Sequence, residues 1–176
     1  MCIRDSVYTI GHSTRTIEEF VALLQEYGIE MVIDVRRIAR SRRNPHFNED
    51  VLREALKRHS IEYRRMEGLG GLRRAAITSV NRAWKNPSFR GYADYMQTPA
   101  FAENMEELIG TAGRKQTVIM CAEVVPWRCH RSLIGDAFVV RGIQVEDILG
   151  SRASRPHKLT PFALVDGTTI IYPATT

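Results

Sequence analysis

Strand-like and helix-like segments alternate along most of this chain, and that alternation constrains its fold more than any single motif. Val7-Tyr8-Thr9-Ile10 reads as a short apolar strand. Thr16-Ile17-Glu18-Glu19 is a capping box, with Thr16 as N-cap and Glu19 at N3. Ile17, Phe20, Val21 and Leu24 then recur on one helical face, and Gly28 ends the helix. Residues 30–35 form a second strand and residues 36–47 a basic loop. Asn48 caps a helix carrying Val51, Leu52, Ala55 and Leu56, and Ile61 to Met66 alternates as a third strand. Residues 67–97 are a Gly-rich, aromatic insertion whose end, Gly91 to Gln97, starts a helix. Thr98-Pro99 opens the next helix, with Phe101, Met105, Leu108 and Ile109 on its apolar side. A strand at 117–121, a helix at 128–140 and a strand from Ile143 to Ile148 complete the series.

This order predicts an α/β fold: a mainly parallel five-stranded sheet with helices on both faces. The tail differs. Phe162 to Val165 and Thr168 to Tyr172 flank Asp166-Gly167, which predicts a C-terminal β-hairpin. The expected organisation is an α/β domain over 7–150 with the tail 151–176 packed on it. Residues 1–6 lack the apolar core of a signal peptide and fit poorly with the strand at Val7, so they read as a non-native or disordered leader. No apolar run has the length of a membrane span. Three cysteines, one of them in the leader, give no disulfide framework, which points to a reducing cytoplasm.

A parallel sheet brings the carboxyl ends of its strands to one edge, where open α/β sheets bind ligands. Here the strand ends carry Gly11-His12-Ser13, Asp34-Val35-Arg36, Leu69-Gly70-Gly71 and Cys121-Ala122-Glu123. Cys129-His130-Arg131 opens the helix that follows the fourth strand. A thiol in a first helical turn feels the positive end of the macrodipole, so Cys129, between Arg128 and Arg131, is the expected reactive thiol. His12, Asp34, Cys121, Glu123 and His130 are therefore the candidate catalytic groups. Three of them have a structural alternative: Cys121 as a small core residue, His130 as a cap or packing group, Asp34 as the ion-pair partner of a neighbouring arginine.

The second signal is charge. Arg36, Arg37, Arg40, Arg42 and Arg43 fall in one short loop with no acid between them, and five charges equal the whole formal net charge of +5. The basicity is local, and arginine suits phosphate and planar anions. Ser13, Arg36, Arg42, Arg43, Asn44, Gly70, Gly71 and Arg131 are the candidate phosphate contacts, with Tyr63 and Tyr92 as aromatic surface. Trp84, Phe89 and Tyr95 extend that surface. Arginines interleaved with aromatics suit a nucleotide or a single strand.

Several of these stretches resemble, in order, the bacterial and archaeal family called domain of unknown function 488. They are Tyr8-Thr9-Ile10-Gly11-His12-Ser13, Asp34-Val35-Arg36, Ser41 to Phe47, Leu69-Gly70-Gly71, Phe89 to Ala93, Cys121-Ala122-Glu123 with Cys129-His130-Arg131, and Pro156 to Thr160. Ile38-Ala39-Arg40 departs from the pattern, which expects a proline or an aromatic there. The resemblance implies an α/β fold with a strand-end pocket. It supplies no substrate.

Three functions compete. The first is an enzyme acting on a phosphorylated, nucleotide or nucleic-acid substrate, with His12 and Glu123 in acid–base work and Cys121 as nucleophile or lining. The second is a metal site, with Cys121, Cys129 and His130 holding zinc or iron, although the spacing is not that of a standard finger. The third is a non-catalytic nucleic-acid binding module made of the basic loop alone. That leaves the polar strand ends without a role.

Overall fold

The structure, a computed structural model, describes residues 6–175. All of the expected leader but Ser6 lies outside those residues. The sheet contains β1 (Val7–Gly11), β2 (Met31–Asp34), β3 (Glu62–Arg65), β4 (Thr117–Cys121), β5 (Val145–Gly150) and β6 (Ala153–Pro156). Their order is β3-β2-β4-β1-β5-β6. The first five are parallel. The sheet thus has six strands where the sequence pattern predicts five. β6 pairs antiparallel with β5 at the edge. All four of its residues are exposed, so it lacks the apolar alternation by which strands are read. The expected hairpin forms from β7 (Leu164–Asp166) and β8 (Thr169–Ile171), with Gly167 at φ +61° in the turn.

The helices are α1 (Ile17–Glu26), α2 (Glu49–Lys57), α3 (Pro87–Tyr95), α4 (Pro99–Arg114) and α5 (Arg131–Val139). Thr16 caps α1 by accepting from the Glu19 N–H, and Gly28 follows it at φ +65°. Thr98 caps α4 from its hydroxyl. Asn48 differs from the expectation. It sits at the N-cap of α2 but its side chain makes no cap bond. Its Oδ1 accepts instead from the Ser41 N–H at 2.8 Å, which braces the basic loop against α2.

Strand periodicity of two sorts the core onto two faces. In β4, Val118 and Met120 pack with Phe20, Val21 and Leu24 of α1 and Leu52 and Leu56 of α2. Ile119 and Cys121 pack on the opposite face with Phe101, Met105 and Leu108 of α4 and Leu133, Ile134 and Phe138 of α5. Each fully buried Leu or Phe contributes about 1.5–3 kcal/mol of transfer free energy. That two-sided burial holds β1, β2 and β4 rigidly, and their carboxyl ends form the platform for the site.

Candidate functional site

Register aligns the strand ends. Gly11 stands opposite Cys121, and Asp34 opposite Met120 and Arg65. Pairing continues past β1: the His12 N–H donates to Cys121 O at 2.9 Å and the Ser13 N–H to Ala122 O at 3.0 Å. The two loops are so close that a Cβ on Gly11 would lie 1.9 Å from Glu123 O. Only glycine lets them meet. Ser13 adopts φ +51°, an uncommon conformation for a residue with a side chain.

Asp34 is fully buried and its carboxylate is occupied. Arg36 donates through Nη2 to Oδ2 at 2.7 Å and through Nε to Oδ1 at 2.9 Å, and the Arg36 N–H adds 3.0 Å to Oδ1. The Tyr63 hydroxyl also donates to Oδ2. Burial, and then the Asp34 charge, push the Tyr63 phenol up, so it stays a donor. The ion pair that competes with a catalytic role for Asp34 is the arrangement present. Asp34 and Tyr63 aim Arg36. Of the guanidinium, Nη1 remains, 3.4 Å from His12 Nε2. His12 stacks on Phe47 with centroids 4.3 Å apart and bonds Ser13 O through Nδ1 at 2.8 Å. Nε2 is then the unprotonated acceptor of a neutral ring and faces the Arg36 Nη1 donor.

The thiols adjoin. Cys129 Sγ lies 2.8 Å from Cys121 Sγ. Arg131 is fully buried; its Nη1 donates to Cys121 Sγ at 3.1 Å and to Glu123 O at 2.7 Å, and its Nη2 to Val124 O at 2.6 Å. Among the described residues no carboxylate stands within ion-pair distance of it. Burial pushes the Cys121 thiol up, but the Cys129 hydrogen bond and the Arg131 charge outweigh it and bring it down. Cys129 moves the opposite way, raised well above its ordinary value by that same hydrogen bond and by burial. This reverses the expected reactive thiol. Cys129 precedes α5 rather than entering it, and Arg131 points to Cys121. Arg131 therefore holds the site together from beneath and lines neither of the two clefts above it.

His130 Nε2 sits 3.0 Å from Val35 O and Nδ1 3.7 Å from Cys129 Sγ. Tyr92 lies under the His130 ring at 5.0 Å and donates its hydroxyl to Leu69 O, so it supports rather than stacks a ligand. Gly71 makes room above: a Cβ there would stand 2.9 Å from His130 Nδ1. Gly70 closes the turn Glu67–Leu69 by donating to Glu67 O at 2.9 Å. Among the described residues no group of three or more His, Cys, Asp and Glu is arranged to hold a metal ion. Two thiolates on one tetrahedral zinc, with bonds of about 2.3 Å, stand roughly 3.7 Å apart. The two sulfurs here are closer, and the ring of His130 is turned to a carbonyl.

Burial lowers both His12 and His130 to about 4, against Ser13 and Val35 carbonyl bonds that favour the charged ring. The unfolded chain binds protons on both rings from 6.5 downward, and the fold resists until about 4. Stability is therefore expected to fall with pH across that window, by as much as ~3 kcal/mol per ring. Urea midpoints measured across it check this. A flat profile in wild type, or an unchanged slope in His12→Gln, contradicts it.

Two adjoining clefts open above these residues. One, of 440 Å³, is lined by His12, Ser13, Arg36, Arg40, Arg43, Asn44 and Glu123 among others. The other, of 370 Å³, is lined by Arg37, Leu72, Phe89, Arg128, both thiols and His130, and shares Arg36, Ile38, Ala122 and Glu123 with the first. Glu123 is exposed on the shared wall. Arg42 lines neither cleft. Thr14, Ile38 and Arg40 do line them and were not among the candidate contacts, though Arg40 lay in the basic run and Ile38 in the stretch that departs from the family pattern. Of the aromatics, only Phe89 faces these clefts; Trp84 lines a separate cavity and Tyr95 lies beneath the Arg73 guanidinium.

A family model described as domain of unknown function DUF488 matches residues 16–138. The chain belongs to the DUF488 family. The DUF488 match runs from the cap of α1 into α5, so it contains the basic loop, both thiols, His130 and Arg131. His12, Ser13 and the tail lie outside it. No curated protein and no solved structure matches the chain. Among the described residues no helix is long and apolar enough to cross a membrane.

Proposed function

We propose that the carboxyl-edge site of this DUF488 protein is the active site of an enzyme acting on a phosphorylated substrate of nucleotide size, in the cytoplasm. The observation that carries this reading is the cationic lining of the 440 Å³ cleft, where Arg36, Arg40 and Arg43 stand around Ser13 and Asn44 with Glu123 as the acid among the lining residues. Arg36 is held by Asp34 before any ligand arrives, so its orientation costs nothing on binding. The neighbouring cleft offers Ile38, Leu72 and Phe89 as an apolar wall for a planar base. Phosphate would sit on the arginines and the base against Phe89. His12 and Glu123 flank the phosphate end as neutral acceptor and carboxylate, and Cys121 lies on the floor of the adjoining cleft as nucleophile.

Titration of the full chain with ADP and with inorganic phosphate tests the reading. Arg43→Ala is expected to weaken binding by about tenfold, the size of one charge-assisted hydrogen bond, and to flatten its salt dependence. Arg42→Ala is expected to change it much less. Equal losses at Arg42 and Arg43 would show a diffuse polyanion surface, as in a nucleic-acid binding module. No binding of either ligand ends the proposal.

A further inference from the structure

We infer that Cys121 and Cys129 form a thiol–disulfide redox couple, in which Cys121 exchanges with the disulfide of an anionic low-molecular-weight thiol and Cys129 resolves the mixed disulfide. The couple goes beyond the nucleotide reading and needs no nucleotide. It stands on the placement of two sulfurs and the groups around them.

The sulfurs are already neighbours. Their separation of 2.8 Å closes to a bond of about 2.05 Å with a small rotation of either side chain. Both are free and buried, 3% and 7% exposed, and the 370 Å³ cleft that both line is the route by which an oxidant would reach them. Their roles differ because their partners differ. Cys121 Sγ faces a buried guanidinium that donates to it at 3.1 Å, which favours the thiolate and makes it the attacking sulfur. Cys129 keeps its proton and donates it to Cys121, as a resolving thiol should. Val35 O can only accept, so the His130 proton belongs on Nε2. Nδ1, 3.7 Å from Cys129 Sγ, is then a neutral acceptor for the proton Cys129 must lose.

The chemistry balances without a further cofactor. Cys121 thiolate attacks one sulfur of R–S–S–R, the S–S bond breaks, and RS⁻ leaves and takes a proton from solvent. Cys129 attacks the Cys121 sulfur as its proton moves by way of His130 Nδ1 toward the leaving group. The second RS⁻ leaves with that proton. Two thiols of the protein are oxidised and one external disulfide is reduced to two thiols. Excess RSH runs the sequence backwards. Anionic R is favoured because Arg36, Arg37 and Arg128 line the same cleft against a single acid, Glu123.

The experiment uses the full chain in a Cys2→Ser background, so that the third cysteine cannot contribute. Incubated with oxidised glutathione, it is expected by intact mass to lose two hydrogens and to retain no glutathione. Cys129→Ser, or Cys129→Ala if the serine variant misfolds, is expected to accumulate one glutathione on Cys121. Cys121→Ser is expected to react far more slowly. Arg128→Ala is expected to slow oxidation about threefold to tenfold with oxidised glutathione and to leave the rate with uncharged hydroxyethyl disulfide unchanged. A folded protein that keeps both thiols overturns the couple. An adduct that forms fastest on Cys129 overturns the assignment of attacking and resolving sulfur. Equal rates with both disulfides overturn the anionic substrate. Loss of nucleotide binding with oxidation intact would remove the preceding reading and leave this one.

Discussion

Asp34→Ala is expected to destabilise the fold by about 3–5 kcal/mol, because it leaves the Arg36 guanidinium buried without its partner. Arg36 is 6% exposed and Asp34 not at all. Four bonds from Arg36 and one from Tyr63 converge on that carboxylate, so the alanine also strands a buried hydroxyl. The loss is specific to removing one charge. Asp34→Leu combined with Arg36→Met removes both and should recover much of the stability, since buried pairs are often replaceable by apolar residues of like volume. Urea unfolding of Asp34→Leu, of Arg36→Met and of the double variant checks the cycle. A loss under 1 kcal/mol in Asp34→Ala, or additive losses in the double variant, would show that the pair is not buried as described. Phosphate binding separates function from stability here. The double variant, though refolded, should bind no phosphate, because the cleft has lost its oriented cation.

The sheet was legible because its strands and helices carry different hydrophobic periods. Thr117 to Cys121 is buried at every position and could only be a central strand. The strand-end residues were legible for the same reason: parallel register sends them to one edge. What could not be read was which side chains would consume one another. Asp34 and Arg36 are two residues apart, yet a carboxylate free to act and one locked by its neighbour look alike in sequence. The thiol roles turned on the direction of Arg131, ten residues from Cys121 and aimed at it only once α5 is docked. Arg42 and Arg43 are adjacent and chemically identical, and the turn of the loop alone separates them. The cluster around His157 was missed despite a usable signal. Asp136 lies among Leu133, Ile134, Ala137 and Phe138, and Asp147 and Thr9 sit within apolar strands. A polar residue at a core position has to have a partner somewhere.

That cluster carries the second large effect. Asp136→Ala is expected to cost about 3–5 kcal/mol and to release the tail. His157 bridges two buried carboxylates, with Nε2 2.9 Å from Asp136 and Nδ1 3.3 Å from Asp147. The Tyr172 hydroxyl donates to Asp136 at 2.8 Å, the Thr160 N–H donates to it at 3.1 Å, and Thr9 donates to Asp147 at 2.5 Å. One aspartate of α5 thus holds three tail residues, and His157 passes the link on through Asp147 of β5 to Thr9 of β1. Burial opposes the charged ring, but the two carboxylates prevail and raise His157 to about 9. A base raised in the folded state contributes fully below its unfolded value of 6.5, and the contribution drains away as pH rises through about 9. The shift corresponds to roughly 3 kcal/mol. Wild-type stability should therefore decline on the alkaline side of 6.5, while His12 and His130 lower it on the acid side. His157→Gln should abolish the alkaline decline and leave the acid one. Gly135 offers an independent probe, because a Cβ there would meet His157 Nε2 at 2.8 Å. Gly135→Ala should displace the ring and weaken the alkaline decline without removing any charge. An alkaline decline that persists unchanged in both variants would mean that His157 is not held between the two carboxylates.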